Sequence, residues 1–139
     1  MRQKQLFCSF IIACSLIFAC KPAAKSRQGK SILVYSATKG FRHESIEDGV
    51  AAIRKIATAK NWTIVATEDS AYFTSDNLKK FSGIVFLNTT GDILGEPGQQ
   101  ALVDYVHQGG GIVGIHAATD CEYNWPWYNK LMGAYFESH

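Results

Sequence analysis

Apolar and polar residues follow each other along the chain in blocks that predict strands and helices in turn. Short, nearly continuous apolar runs have the length of buried strands, and apolar residues between them recur at helical spacing. The pattern is β-α-β-α-β-α-β-α, which predicts an α/β fold with a doubly wound, mostly parallel sheet of about four strands. The predicted strands are 31–36, 62–67, 83–88 and 111–115.

Residues that favour helix ends mark where the predicted helices begin and stop. Ser45, with Asp48 three positions later, predicts a capped N-terminus. Pro97 suits the first turn of a later helix, and the glycines at 109–111 end it. Asn124 is expected to cap the last helix. Because the glycine run precedes a strand rather than a helix, it is not a phosphate loop, and no nucleotide cofactor is expected.

The first 19 residues have the features of a targeting segment. Arg2 and Lys4 precede an apolar run at 6–18, which is too short to span a bilayer comfortably. The run ends at Ile-Phe-Ala-Cys, which resembles a lipoprotein signal-peptidase site, so Cys20 is expected to carry the lipid. Residues 1–19 are thus predicted to be a signal peptide and residues 20–30 a lipidated cysteine with a flexible tether. An uncleaved anchor or an ordinary secretory signal is the alternative.

The predicted location follows from this segment. We expect an exported lipoprotein held in a membrane through Cys20, facing the periplasm or the cell surface. Lys21 follows the cysteine where a retention signal would have aspartate, which favours the outer membrane. Several acyl chains on one cysteine anchor a protein stably, whereas a single chain does so only marginally.

Charge and cysteine content narrow the functional classes. The chain has 14 basic and 12 acidic residues, and without Arg2 and Lys4 the two counts are equal. A neutral domain lacks the basic footprint of a nucleic-acid-binding protein, so no nucleic-acid partner is expected. Cys121 is the only cysteine after Cys20, which excludes an intrachain disulfide framework in the domain.

The loops that follow the predicted strands hold the chemically useful side chains. In open parallel sheets, ligands bind outside the carboxyl ends of the strands, where the strand order reverses. Arg42, His43 and Glu44 come after the first strand, and His116 and Asp120 come directly after the fourth. Imidazoles and carboxylates meeting at one sheet edge are suited to acid/base chemistry or metal binding.

Three segments, GFRHESI, GIVFLNTTGD and GGGIVGIHAATDCEYNWPWYNKLMGAYFESH, resemble the ThuA-like (trehalose utilisation) family. The resemblance runs from about Ser31 to the end of the chain, so 31–139 is taken as a ThuA-like domain. It implies a flavodoxin-like fold shared with class I glutamine amidotransferases. It also implies a domain longer than this one, and four strands are few for such a sheet. We therefore expect the domain to be incomplete at its C-terminus; a compact four-stranded domain is the alternative.

The fold of the amidotransferases makes His116 the residue of most interest. In those enzymes the fourth strand ends in Gly-Ile-Cys, and a tight turn presents the nucleophilic cysteine. Here the same stretch reads Gly114-Ile115-His116. Cys121 lies five residues later and cannot take that place, so glutaminase chemistry by a thiolate is excluded.

The sequence leaves three roles open for the histidines. His43, His116 and His139 could ligate a divalent metal such as zinc, although their spacing matches no known metal signature. Alternatively, His116 acts as a general acid or base, with Asp120 or Glu44 orienting it. In the third role His116 is purely structural, and Asp120 caps a helix.

The resemblance implies a role in the use of trehalose or a related disaccharide or keto-sugar, with His116 and Asp120 as catalytic residues of a hydrolase, lyase or isomerase. Whether the chain is an enzyme is left open, because a non-catalytic carbohydrate-binding lipoprotein and an inactive truncated copy are the alternatives. The partner in either active case is a small carbohydrate. Its expected binding residues are His43, Arg42, Glu44, Trp125 and Trp127. Arg42 could equally be a solvated charge, and the tryptophans could simply pack on the sheet.

Overall fold

A computed structural model describes residues 29–138, and within them the chain alternates strands with helices. None of the helices in this range is long and apolar enough to cross a bilayer. The predicted signal peptide, Cys20 and His139 lie outside the described residues. The strands are β1 (Ser31–Tyr35), β2 (Thr63–Thr67), β3 (Gly83–Leu87), β4 (Thr90–Gly91), β5 (Gly111–Ile115) and β6 (Asp120–Cys121). The helices are α1 (Ile46–Ala59), α2 (Ser75–Leu78), α3 (Glu96–His107) and α4 (Pro126–Met132), with 3₁₀ turns at Ser70–Tyr72 and His116–Thr119.

The main sheet is parallel and has the strand order β2-β1-β3-β5. This confirms the predicted doubly wound α/β class. The chain moves from β1 to β2 in one direction and then crosses β1 to form β3, so the order reverses between β1 and β3. Ligand crevices of open sheets lie at such a reversal, beyond the carboxyl ends of the strands.

One face of the sheet carries the main core. Alternate residues of a strand point to the same face, and on this face Leu33 and Tyr35 of β1 lie beside Ile84 and Phe86 of β3, all fully buried. Leu102 of α3 packs against them, as do side chains of α2 and α4.

The opposite face is covered by α1 but stays open beside the edge strand β5. Gly49 of α1 lies so close to β3 that a Cβ there would meet the Leu87 methyls at 3.0 Å. Further along this face, Val113 of β5 is 53% exposed and Ile56 of α1 is 54% exposed. Both line an apolar groove between the helix and the edge strand.

Of the predicted helix caps, Ser45 has the right position but makes no capping hydrogen bond, and Asn124 is wrong. The Ser45 Oγ instead accepts a hydrogen bond from Nδ2 of Asn88, a tertiary contact that a local sequence signal does not contain. At the last helix the cap position belongs to Trp125 rather than Asn124, because Pro126 already occupies the first turn.

Candidate functional site

The loops after β1 and β3 are fastened to each other, and a second small sheet joins the loop after β5. Thr90 links the first two loops: its carbonyl accepts from the Lys39 amide at 2.7 Å, and its hydroxyl donates to the Phe41 carbonyl at 2.9 Å. Thr90 also begins β4, which pairs in parallel with β6. The three loops therefore form one braced platform at the carboxyl edge of the sheet.

His116 follows β5 with its backbone in the left-handed region, at φ 52°. Non-glycine residues rarely adopt this conformation, and those that do are concentrated at functional sites. The strand ends at Ile115, and the 3₁₀ turn His116–Thr119 begins at once. The sharp change of direction leaves the His116 side chain exposed at the edge of the sheet.

The rings of Phe41, His43 and His116 lie in a row between the loops that follow β1 and β5. The centroids of His43 and His116 are 4.6 Å apart, with the rings inclined at 66°. Phe41 lies on the other side of His43, at 4.9 Å and 82°. Residues 73 positions apart in the sequence are thus brought into ring contact by the fold, as expected for two loops at the same sheet edge.

An open cavity of about 460 Å³ lies beside the histidine pair. Phe136, in the C-terminal segment, also lines the cavity, and its backbone amide donates to the Thr119 carbonyl at 3.0 Å. Phe41 is 69% exposed at the cavity. The lining residues are Phe41, His43, His116, Ala117, Thr119, Asp120 and Phe136.

Asp120 lines the same cavity, but its carboxylate already has a partner. The Tyr123 hydroxyl lies 2.6 Å from Asp120 Oδ1 and 2.8 Å from the Phe136 carbonyl oxygen, and it donates its single proton between these two acceptors. Shielding of the hydroxyl from water, together with the nearby carboxylate, raises the pKa of Tyr123 to about 12. Asp120 belongs to β6 and does not cap α4, so the capping alternative is wrong.

Glu122 is a buried carboxylate whose hydrogen bonds connect the loop after β5 to the loop before α3 and to α3 itself. Its Oε1 accepts from the backbone amides of Ile93 and Leu94 at 2.9 and 2.7 Å, and its Oε2 accepts from Gln99 Nε2 at 2.8 Å. Burial raises its pKa, and the three hydrogen bonds counteract part of that effect. Because both oxygens are engaged and the side chain is 1% exposed, its role is to hold the loop before α3.

Other residues expected at the site do not line the cavity. Arg42 makes ion pairs with Glu47 at 2.7 Å and Glu68 at 2.8 Å, so its guanidinium binds the protein's own carboxylates. Glu44 is exposed and does not line the cavity. Trp125 and Trp127 stack on each other at 5.0 Å and pack against the core. Of the expected residues, the structure therefore brings together His43, His116 and Asp120.

Within residues 29–138, no group of three or more histidine, cysteine, aspartate or glutamate side chains is arranged to hold a metal ion. The expected zinc set included His139, which lies outside that range. The described residues thus offer two imidazole nitrogens but not a complete set of protein ligands.

Comparison with known proteins supports the fold and shows the family. A family model described as ThuA, trehalose utilisation, matches residues 31–139. The chain belongs to the ThuA family. A solved structure of a ThuA-like protein from Bacteroides uniformis has 26% sequence identity and a TM-score of 0.62, over 79% of this chain and 46% of that one. The chain thus spans less than half the length of that ThuA-like protein. Among curated proteins, no relative matches the sequence.

Three residues at this edge of the sheet were not predicted from the sequence. Phe41 and Phe136 line the cavity, and Asn88 lies at φ 50° at the end of β3, beside the end of β5. The position of Asn88 does have a signal, because asparagine directly after a buried apolar strand is among the side chains that best tolerate the left-handed region. Phe136 has none, since its place depends on how the C-terminal segment returns to the loop after β5.

Proposed function

We propose that this ThuA domain acts on a neutral carbohydrate, with His116 and His43 as its proton-transfer pair. The observation that carries the proposal is the His116 ring, presented from a left-handed turn 4.6 Å from His43 and lining a cavity at the reversal of strand order. An imidazole accepts or donates a proton near neutral pH, so two adjacent rings suit a step in which one group gives a proton and another takes one.

The cavity suits a sugar better than an anion. Phe41 and Phe136 offer aromatic surface on which the apolar face of a sugar ring can stack. None of the described residues that line the cavity is an arginine or a lysine, and Asp120 adds a carboxylate. Arg42, the nearest cation in sequence, is bound to Glu47 and Glu68. Repulsion from Asp120 and the lack of a lining cation favour an uncharged ligand such as trehalose or a related disaccharide or keto-sugar.

A metal-assisted version would need a ligand from outside the described residues. His43 and His116 could supply two nitrogens, and His139 is the remaining histidine expected to contribute. Because the described residues do not complete a site, the proposed chemistry is assigned to the imidazoles themselves. Adding zinc to the full chain tests the alternative: a rise in melting temperature that His116→Asn removes would assign a metal to this pair.

The test of the proposal uses His116→Asn in the full chain, because asparagine tolerates the left-handed backbone at this position. Trehalose and maltose are incubated with the protein, and products are separated by chromatography. Loss of a general acid or base costs about 10²–10⁴-fold in rate, so the variant should lose at least about 100-fold in turnover. His107→Asn on α3, remote from the cavity, is the matched control. Turnover that survives His116→Asn would contradict the proposal.

A second candidate is carbohydrate binding without turnover. It is favoured by the hydrogen bond between Tyr123 and Asp120, which occupies the carboxylate expected to assist His116. It predicts that calorimetry detects trehalose or maltose binding, that no product forms, and that His116→Asn binds nearly as well as the parent. Phe41→Ala should then weaken binding more than His116→Asn does.

We also propose that the domain is exported and held in a membrane through acylated Cys20. The support is the sequence alone: a basic start, an apolar run at 6–18 and a cysteine after Ala19. Expression with radiolabelled palmitate tests it directly. Label on the parent chain and none on Cys20→Ala is the expected result, and an unlabelled parent would overturn it.

A further inference from the structure

The two edges of the sheet differ sharply in charge. Among the described residues, the connections that enter β1, β2 and β3 contain lysines, the connection that enters β5 contains none, and none of the four contains a carboxylate. The connections that leave these strands contain six carboxylates, with only Lys39 and Arg42 as cations. We call the first of these the basic edge, and its lysines are Lys30, Lys60, Lys79 and Lys80.

Part of this asymmetry has a local explanation. Lys60 and Lys79 occupy the C-cap positions of α1 and α2, where a cation complements the helix dipole. Lys79 also pairs with Asp76. Lys30 has no such explanation, because it precedes a strand, and it makes no ion pair with the residues that the structure describes.

An aromatic side chain lies among these lysines. The Nζ atoms of Lys30 and Lys60 lie 5.5 and 5.6 Å from the centroid of the Trp62 ring. Trp62 is half-buried, and with the exposed Ile56 it lines the open apolar groove. Tryptophan flanked by lysines is the composition found at membrane–water interfaces, where the ring lies at headgroup level and the ammonium groups reach the phosphates.

The chain enters the domain at this same edge. The Lys30 carbonyl accepts from the Thr63 amide at 2.9 Å, and a Cβ on Gly29 would lie 2.0 Å from the Asn61 carbonyl oxygen. Residues 20–29 therefore lead from the proposed lipid anchor to the basic edge. Fully extended they reach about 30 Å, so the anchor keeps this edge near the bilayer surface.

We propose that the basic edge docks on the surface of an anionic bilayer, with Trp62 at headgroup level and Lys30 and Lys60 on lipid phosphates. This inference rests on the proposed anchoring through Cys20. The strands are five residues long, or about 17 Å, so docking would hold the His43–His116 cavity on the far side of the sheet, open to the surrounding solution.

The experiment uses the full acylated chain in vesicles of phosphatidylcholine, with or without phosphatidylglycerol, both carrying brominated tails that quench tryptophan. The Trp62→Phe variant identifies the part of the signal that belongs to Trp62. We expect that part to be quenched only when phosphatidylglycerol is present, and to recover in 1 M salt, where screening shortens the Debye length to about 3 Å. Quenching that is the same without phosphatidylglycerol would overturn the proposal.

Charge variants provide the matched comparison. A lysine near an anionic surface contributes about fivefold to the docking equilibrium, so Lys30→Glu and Lys60→Glu together should weaken docking by more than about 25-fold. Lys39→Glu makes the same charge change at the opposite edge and should leave the quenching intact. Equal effects from Lys39→Glu and Lys60→Glu would refute docking through the basic edge. So would concentration-dependent shielding of Trp62 in detergent, which would indicate that a second copy covers it.

Flotation keeps the two proposals distinct. Whether the chain floats with vesicles and carries label at Cys20 reports anchoring, whatever its orientation. Quenching of Trp62 among the floated chains reports docking. Labelled, floated chains whose Trp62 is not quenched would therefore refute the docking while leaving the anchoring intact.

Discussion

The Asn88 side chain donates a hydrogen bond from Nδ2 to the Ser45 hydroxyl, 2.9 Å away, and so ties the end of β3 to the start of α1. Asn88 is 3% exposed, and its Oδ1 has no hydrogen-bond partner among the described residues. Turning the amide over would satisfy the oxygen and leave the nitrogen unpaired, so one polar atom is unsatisfied in either orientation. Such a group is tolerated where the fold holds a strained position.

Substitution at Asn88 should separate its backbone role from its hydrogen bond. At φ 50°, alanine costs about 1–2 kcal/mol in the left-handed region, and glycine avoids that cost. We expect Asn88→Ala to lower the free energy of unfolding by about 1–2 kcal/mol and Asn88→Gly by less, as measured by urea denaturation. Ser45→Ala, combined with Asn88→Ala, should be non-additive because the two share one contact. Equal losses for alanine and glycine would show that the backbone is not strained.

The backbone conformation of His116 predicts the relative stabilities of three variants at this position, whatever their activity. Its φ of 52° penalises alanine, whereas glycine and asparagine tolerate it. His116→Ala should therefore be less stable than His116→Gly by about 1–2 kcal/mol in urea melts, with His116→Asn close to the parent. If alanine proves as stable as glycine, the turn relaxes without the imidazole, and the left-handed backbone at this position is a consequence of the side chain rather than of the fold.

The fold followed from the sequence because its strands are short, nearly continuous apolar runs and the apolar residues between them recur at helical spacing. The four main strands end within one residue of their expected limits. The two cap predictions failed for different reasons: at Ser45 a tertiary hydrogen bond replaces the local one, and at Asn124 the following Trp-Pro sets the helix start. The strands β4 and β6 are two residues long, too short for any hydrophobic pattern.

Only part of the candidate site could be predicted from the sequence. That His43 and His116 share the carboxyl edge follows from topology, but their ring contact depends on how the loop after β1 folds over Thr90. Arg42 was expected to face a ligand, yet it pairs with Glu47 and Glu68, whose nearness depends on the packing of α1 beside the end of β2. Such contacts link distant positions and leave no local sequence signal.

Cys121 should be chemically inert in the folded domain. It is fully buried, and burial raises the pKa of its thiol to about 12. Alkylation and disulfide exchange require an accessible thiolate, so iodoacetamide at neutral pH should leave the Cys121 peptide unmodified until urea unfolds the domain, as read by mass spectrometry. Rapid modification under native conditions would mean that β6 opens locally. For the same reason, pairing between two copies through this cysteine is not expected in the native state.

The buried Glu122 carboxylate should make the domain less stable as pH rises. Burial raises its pKa above the ordinary value of 4.5, so the folded state binds the proton more tightly than the unfolded chain does. The contribution to stability is therefore fully present below pH 4.5 and is lost as pH rises through the folded pKa. A tenfold difference in proton affinity between the folded and unfolded states corresponds to about 1.4 kcal/mol. The measurement is a series of urea melts from pH 4 to pH 8.

Glu122→Gln isolates this effect from other carboxylates. Glu47 and Asp76 have lowered pKa values because of their hydrogen bonds to Arg42 and Lys79, and they push the pH dependence the other way in both proteins. Glutamine can still accept from Ile93 and Leu94, and rotation of the Gln99 amide would restore the third hydrogen bond. Parent stability minus variant stability should therefore fall as pH rises. A rise instead would mean that the three hydrogen bonds outweigh desolvation, and that the fold holds Glu122 as a stabilised anion.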